Sequence, residues 1–148
     1  MSSKAPIAYI TLRVFSHATE DPEKVHTAVR NTLPSDLAAN LTFTKTSATG
    51  HHGNPIILFE AKLENRQLLP TALQKIATEL SPLDKEQLSS EMKQHIEKRN
   101  LYLRFDKQNA FQGTLKLALN DPIHFKIHFK NRTAEEIIDI CKQAGVLP

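Results

Sequence analysis

Two short segments in which apolar and polar side chains alternate constrain the fold more than any other feature of the sequence. In residues 101–106, Leu101, Leu103 and Phe105 fall on one side of an extended chain. Residues 123–130 repeat the pattern with isoleucine and phenylalanine at every second position. A period of two residues is typical of a β-strand that buries one face. The pattern therefore predicts two strands that pack their apolar faces on a core.

The opposite faces of these two predicted strands carry an aromatic ring, an arginine, lysines and histidines. If both strands belong to one sheet, its outer face suits a polyanion whose rings can stack, and RNA is the first candidate. An alternating strand also presents a solvated polar face when it binds nothing, and the spacing alone does not decide between the two interpretations. The outward-facing residues are Tyr102, Arg104, Asp106, His124, Lys126, His128 and Lys130, and Tyr9 and Arg13 of a predicted first strand extend this surface.

Positive charge is concentrated around these strands. The whole chain of 148 residues carries a net charge of only +3. Residues 101–132 hold six lysines and arginines against two acids, a net charge of +4, whereas residues 133–148 hold one lysine against three acids, a net charge of −2. The distribution of charge therefore favours a polyanion-binding surface on the strands.

The remaining pattern predicts strands joined to helices in one domain. The length is typical of a single domain, and hairpin-paired strands with amphipathic helices indicate an α+β fold. We expect an antiparallel sheet backed by helices on one face, a two-layer sandwich over residues 7–148, after a disordered segment at 1–6. The predicted elements are a strand at 7–15, a helix from 22 to 33, a strand around Phe43, a loop at 46–55, a strand at 56–63, helices over 66–99 divided at Pro82, a turn at 107–113, and a helix capped by Thr133 that ends at Gly145.

The sequence contains no motif that indicates catalysis, a cofactor or a metal. His51 and His52 are adjacent, with no cysteine or carboxylate at ligand spacing, and the alternating histidines of the last strand flank a lysine. The single Cys141 lies in a helical apolar pattern and is expected to be a buried thiol in a reducing compartment. No apolar run is long enough to span a membrane, so we expect a cytoplasmic protein that is not an enzyme.

Two segments carry a resemblance to a known family. Residues 100–113, with the sequence NLYLRFDKQNAFQG, followed by DPIH at 121–124, resemble the signature of an archaeal family described as predicted RNA-binding proteins or predicted exosome subunits. The loop GHHGNP at 50–55 is similar to that family's pattern as well, whereas Asn109 stands where the pattern has a small residue. That family resembles the fold of the ribosomal protein that binds 5S rRNA.

The resemblance implies RNA binding, with ribosomal RNA or exosome-bound RNA as the partner. We expect cationic side chains to contact phosphates, Tyr102 to stack on a base, and the glutamines to bind sugars or base edges. Asp106 is expected to position its basic neighbours or to cap the turn that follows it. The alternative is a protein–protein module, either a homodimer or an accessory subunit of the ribosome or exosome. The predicted RNA-binding residues are Tyr102, Arg104, Lys107, Gln108, Gln112, Lys126, His128, Lys130, Arg132, His51 and His52.

Overall fold

The sheet contains six antiparallel strands, and the two alternating segments lie side by side within it. A computed structural model describes residues 6–50 and 53–148. The strands are β1 (Ile7–His17), β2 (Thr44–Thr49), β3 (Pro55–Leu63), β4 (Ile96–Glu97), β5 (Asn100–Phe105) and β6 (Ile123–Phe129). Their order in the sheet is β2-β3-β1-β6-β5-β4. Because β1 lies between β3 and β6, its side chains have neighbours on both of these strands.

Helices back one face of this sheet, which confirms the predicted α+β architecture. They are α1 (Pro22–Asn31), α2 (Ser35–Ala39), α3 (Leu69–Glu79), α4 (Pro82–Glu91), α5 (Lys107–Phe111) and α6 (Ala134–Ala144). Apolar side chains of the helices, such as Ile76 and Ile137, are fully buried in the same cluster as the inward side chains of the strands. The side of the sheet that faces away from the helices is called the outer face below.

The predicted alternation of β5 and β6 sets the inward face of the sheet. Leu101, Leu103 and Phe105 of β5 are completely buried, and so is nearly all of Phe125 of β6. The rings of Phe105 and Phe125 meet edge to face with their centroids 5.0 Å apart. Burying these side chains removes apolar surface from water, and this stabilises the sheet against the helices.

Helix starts and stops agree with the local sequence signals. Asp21 caps α1 by accepting a hydrogen bond from the backbone N–H of Glu23 at 3.0 Å, and Pro22 occupies the first turn. Thr133 and Glu136 form a reciprocal capping box at the start of α6. The helix ends at Gly145, whose φ of +89° favours glycine. These predictions are confirmed.

The second strand differs from its predicted position. The sequence predicted a strand around Phe43 followed by a loop, whereas β2 begins at Thr44 and pairs with β3 along its whole length. All six residues of β2 are exposed, so no alternation of apolar side chains marks it. Phe43 instead packs its ring on His26, with centroids 4.3 Å apart. Pairing with β3 and the β-branched threonines determine this strand.

The long helical region also ends earlier than predicted. Helix α4 stops at Glu91, a 3-10 turn spans Met92–His95, and β4 then pairs with the start of β5. Ile96 opposes Leu101 in this hairpin, and Lys98 adopts a φ of 58° at its turn. The prediction of helix up to residue 99 is therefore wrong, because pairing with β5 outweighs the local helical pattern.

A bulge near the start of β1 changes which side chains face the core. Ile7 opposes Phe129, and Tyr9 opposes His128. One step along β6 therefore corresponds to two steps along β1, and Ala8 is the extra residue. Ile7 and Ile10 are consequently both buried, although they are three positions apart. Tyr9 keeps its place on the outer face.

Candidate nucleic-acid interface

Three rows of side chains cross the outer face of the sheet, each built from residues that the strand register places opposite one another. The arginine row runs from β5 to β3 through Arg104, His124, Arg13 and Glu60. The lysine row contains Tyr102, Lys126, Thr11 and Lys62. The histidine row contains Asn100, His128 and Tyr9. Directly opposed side chains on neighbouring strands are close enough to interact.

The arginine row combines two guanidinium groups with a half-buried imidazole. The Nε atom of Arg13 lies 3.2 Å from a Glu60 carboxylate oxygen, and the two side chains form a salt bridge. Burial lowers the pKa of His124, and the neighbouring Arg104 and Arg13 lower it further, while Asp121 acts weakly in the opposite direction. Arg104 is exposed and forms no ion pair within residues 6–50 and 53–148. Its guanidinium is therefore accessible to an anion.

The lysine row brings ammonium groups to an aromatic ring. The Nζ atom of Lys62 lies 4.6 Å from the centroid of the Tyr9 ring, and the Nζ atom of Lys126 lies 5.9 Å from the same centroid. Both distances are within the range of a cation–π interaction. Lys126 directly opposes Tyr102 of β5. Cationic and aromatic groups are thus interleaved across four strands.

The histidine row is held together by stacking and a hydrogen bond. The rings of Tyr9 and His128 are stacked, with centroids 4.7 Å apart and planes 11° from parallel. Nδ1 of His128 donates to Oδ1 of Asn100 at 2.7 Å, since an amide oxygen can only accept. Burial lowers the pKa of His128, and the charges of Lys126 and Arg99 lower it further. His128 therefore supports the Tyr9 ring as a neutral imidazole near pH 7.

Two predicted cations lie beyond the end of β6. Lys130 is exposed, in agreement with a role on the surface. The guanidinium of Arg132 donates to the backbone oxygens of Lys130 and Asn131, at 3.2 and 3.3 Å. Arg132 thus stabilises the turn into α6 and retains further donors for an outside group.

Lys107 is placed inside the protein, which corrects its predicted role as a phosphate contact. Only 9% of the residue is exposed. Its ammonium group donates to the carbonyl oxygen of Phe15 at 2.8 Å, to Glu20 at 3.0 Å and to Asp121 at 2.8 Å. All three ammonium protons have partners, so none is left for a phosphate.

The segment after β5 forms a short helix and does not join the outer face. Asp106 caps α5 by accepting from the backbone N–H of Asn109 at 2.8 Å, which confirms the capping role predicted for it. Gln108 and Gln112 line a groove between α1 and α5. Phe111 also lines this groove and is partly exposed. The two glutamines are therefore separated from the three rows.

The two predicted loop histidines, His51 and His52, lie outside the described residues. One group of potential metal ligands exists elsewhere in the described part of the chain, where ligand atoms of His17, Glu20 and Asp121 lie within 4.8 Å of one another. The ammonium group of Lys107 binds both carboxylates of that group. A cation is thus already supplied by the protein at this position.

The relationship to known proteins agrees with the chemistry of the rows. The sequence model of a protein family described as RNA binding matches residues 9–129. The chain belongs to this RNA-binding family. The matched range contains all three rows and the helices α1 to α5, whereas α6 lies beyond it.

Relatives of this RNA-binding family member come from archaea. RNA-binding protein PAB1135 of Pyrococcus abyssi is 32% identical over 133 residues, which cover 88% of this chain and 86% of that protein. The structure of Mth689, a DUF54 protein from Methanothermobacter thermautotrophicus, is 29% identical, with a TM-score of 0.75 and coverage of 96% and 98% of the two chains. The structure of SSO0741 from Sulfolobus solfataricus, also a DUF54 protein, is 29% identical, with a TM-score of 0.74. The match covers 92% of this chain and 96% of that chain. The archaeal and RNA-binding parts of the resemblance are confirmed.

Three cations of the interface were not among the residues predicted to bind RNA, although one of them, Arg13, was expected to extend the outer surface. Lys62 completes the lysine row, and Arg99 lies close enough to His128 to influence its pKa. The alternation of β3 indicates that Lys62 points outward, but only the register with β1 places it over Tyr9. Arg99 lies in the turn between β4 and β5, within a region that the sequence predicted to be helical. Its position could not be derived from local pattern.

No helix in residues 6–50 or 53–148 is long and apolar enough to span a membrane.

Proposed function

We propose that the protein binds RNA through the outer face of its sheet, without catalysing a reaction. The observation that carries this proposal is the interleaving of accessible cations with aromatic rings in three adjacent rows. Cations attract the phosphate backbone, and rings stack on unpaired bases. Membership of the RNA-binding family and the similarity to RNA-binding protein PAB1135 of Pyrococcus abyssi support the proposal.

The class of RNA is a finer proposal. Ribosomal RNA is the first candidate, because the sequence resembles a family whose fold is similar to that of the 5S-rRNA-binding ribosomal protein. RNA handled by the exosome is the next candidate, from the same resemblance. We propose that the protein associates in the cytoplasm with ribosomal particles or with exosome-linked RNA processing.

Charge reversal on the outer face tests the RNA-binding proposal. The double variant Arg104→Glu with Lys126→Glu should abolish RNA binding measured by fluorescence anisotropy. Its thermal stability should stay close to that of the wild type, because neither side chain forms an ion pair within the described residues. The matched control, Lys93→Glu with Lys142→Glu, makes the same change of charge at exposed positions outside the sheet. Equal binding by both double variants would contradict a role of the outer face.

Sedimentation of a native lysate at low and high salt tests the class of RNA. Comigration with ribosomal subunits that disappears at high salt would support contact with rRNA, because phosphate contacts weaken as salt rises. Comigration with exosome components only would favour the exosome-linked role. A protein that stays at the top of the gradient at both salt concentrations would contradict both proposals.

A protein–protein module is the second candidate function, and the edge of the sheet favours it. Strand β2 lies at the edge, and all of its residues are exposed along the length over which it pairs with β3. An exposed edge can pair with a strand of a second protein. Light scattering with and without RNA separates the candidates. A dimer that is insensitive to salt and does not respond to RNA would favour the protein–protein module.

A further inference from the structure

A groove on the outer face lies between the arginine row and the lysine row. Its volume is about 400 Å³, which is within the range of small-ligand sites. Both rows contribute to the lining, and the side chains come from four strands. The lining includes Thr11, Arg13, Glu60, Tyr102, His124 and Lys126. The groove is therefore a defined recess within a surface that is otherwise broad.

Arg13 and His124 of the arginine row line one wall of the groove with donors for an anion, and Arg104 lies next to this wall, opposite His124 on β5. Arg13 uses Nε to bind Glu60, which leaves the terminal amino groups of its guanidinium for another acceptor. His124 lies between Arg13 and Arg104 on the neighbouring strands. Neighbouring strands are about 4.8 Å apart, so the backbone positions of the three residues span about 10 Å, and the long arginine side chains can reach inward from both ends. Planar guanidinium groups are well suited to the oxygens of a phosphate.

Glu60 does not prevent an anion from binding to this wall. Its carboxylate lies at the far end of the row and is paired with Arg13. The pair holds the guanidinium of Arg13 in place, while Arg104 at the other end is exposed. Glu60 is therefore a positioning residue for Arg13.

The lysine row supplies an aromatic ring, that of Tyr102, next to the arginine row. Side chains two positions apart on one face of a strand are separated by about 6.6 Å, so Tyr102 lies about that far from Arg104 along β5. The ring of Tyr9 is already stacked on His128. Tyr102 is half-buried, lines the groove and makes no ring–ring contact within the described residues, so its ring is not already stacked on another of their rings.

We propose that this groove is a nucleotide subsite, in which the cationic groups of the arginine row hold one backbone phosphate and Tyr102 stacks on a base. The inference rests on the proposed RNA-binding function and names its substrate class, which is single-stranded RNA. A base in a duplex is stacked between its neighbours and cannot lie on a tyrosine ring, whereas an unpaired base can. Lys126 faces Tyr102 and neutralises the next phosphate along the strand.

The test compares a short mixed-sequence single-stranded oligoribonucleotide with the same sequence in a blunt duplex, using fluorescence anisotropy. The wild-type protein should bind the single strand more tightly. Tyr102→Leu should weaken single-strand binding about tenfold, and Tyr102→Phe, which keeps the ring, should restore it. Arg104→Gln should weaken binding and reduce the slope of log affinity against log salt by about 0.7. The control Lys142→Gln removes one exposed cation outside the sheet.

A second readout follows the imidazole of the row directly. The groups that face His124 are Arg104, Arg13 and Asp121. A phosphate bound beside the imidazole should raise its pKa, which NMR titration of the ring signals with and without the oligonucleotide would measure. An unchanged titration with bound oligonucleotide would place the phosphate elsewhere and overturn the subsite.

The outcomes separate this inference from the function on which it rests. A wild-type protein that binds neither RNA would contradict both. Preference for the duplex, or equal single-strand affinity of Tyr102→Leu and wild type, would overturn the nucleotide subsite and leave RNA binding intact. An effect of Lys142→Gln as large as that of Arg104→Gln would show that net charge alone governs binding, and would also overturn the subsite.

Discussion

The ammonium group of Lys107 lies 2.8 Å from a carboxylate oxygen of Asp121, within a side chain that is 10% exposed. The same ammonium group binds Glu20 and the carbonyl oxygen of Phe15. Lys107 thereby contacts two residues that precede it by 92 and 87 positions in the sequence. The contact ties α5 to the end of β1 and to the segment that leads into β6.

Replacing this lysine should lower stability and leave the outer face intact. Lys107→Met removes the cation and leaves the carboxylates of Glu20 and Asp121 facing each other without it. We expect the free energy of unfolding to fall by about 2 kcal/mol, because two partly exposed carboxylates and a carbonyl lose a charged donor that is itself buried. Urea denaturation measures the change, and Lys116→Met at an exposed position is the control. A stable Lys107→Met protein that no longer binds RNA would instead restore the phosphate-contact role first predicted for Lys107.

The error about Lys107 shows what local sequence pattern can and cannot predict. The alternation of β5 and β6 predicted both strands and their inward faces, because burial of every second side chain is a local property. The partners of Lys107 lie on distant segments, so its burial depends on the tertiary fold. No feature of the neighbouring sequence distinguishes Lys107 from the outward-facing cations of β5 and β6.

The candidate interface was predictable in composition but not in arrangement. Tyr102, Arg104 and Lys126 are on the outer face, as the alternation predicted. The cation–π contact of Lys62 with Tyr9 depends on the register of β3 against β1, which the sequence does not specify locally. Strand β2 was misplaced for a related reason, since an edge strand with both faces exposed has no apolar period.

Two phenylalanines on opposite faces of the sheet should differ strongly in their contribution to stability. Phe105 is fully buried against Phe125, whereas Phe15 is 37% exposed on the outer face. Phe105→Ala should lower the free energy of unfolding by about 3–5 kcal/mol, because it leaves a cavity in the core. Phe15→Ala should cost only about 1–2 kcal/mol, because part of its ring is already in contact with water. Urea denaturation of both variants checks the contrast, and similar losses would contradict the assignment of the two faces.

The single cysteine should not react while the protein is folded. Cys141 is completely buried in α6, and burial raises the pKa of its thiol to about 12. The thiolate is the reactive form, so both access and ionisation are suppressed. We expect a chromogenic disulfide reagent to label the protein only at the rate of unfolding, and promptly in denaturing urea. Stoichiometric labelling of the folded protein, faster than it unfolds, would show that α6 opens locally or that the thiol is accessible.

Stability should decrease as the pH falls below about 6.5, the ordinary pKa of histidine. Burial is the main cause that lowers the pKa of His26, His124 and His128 in the folded protein. Between the ordinary pKa and the lowered folded values, the unfolded chain binds more protons than the folded one. The free energy of unfolding therefore rises with pH through this window. The stabilising contribution of the histidines is lost as the pH falls through the same window. The lowered pKa of Glu136 acts below its ordinary value of 4.5, and it likewise lowers stability as the pH falls.

Urea denaturation at about pH 7.5 and about pH 5.5 measures the histidine effect. His124→Gln should reduce the difference in unfolding free energy between the two pH values, because Arg104 and Arg13 no longer face a group that gains charge. Comparing His124→Gln with the wild type cancels the contributions of the other titratable groups, which both proteins share. An equal pH dependence in the two proteins would mean that His124 is hydrated and not held between the two arginines.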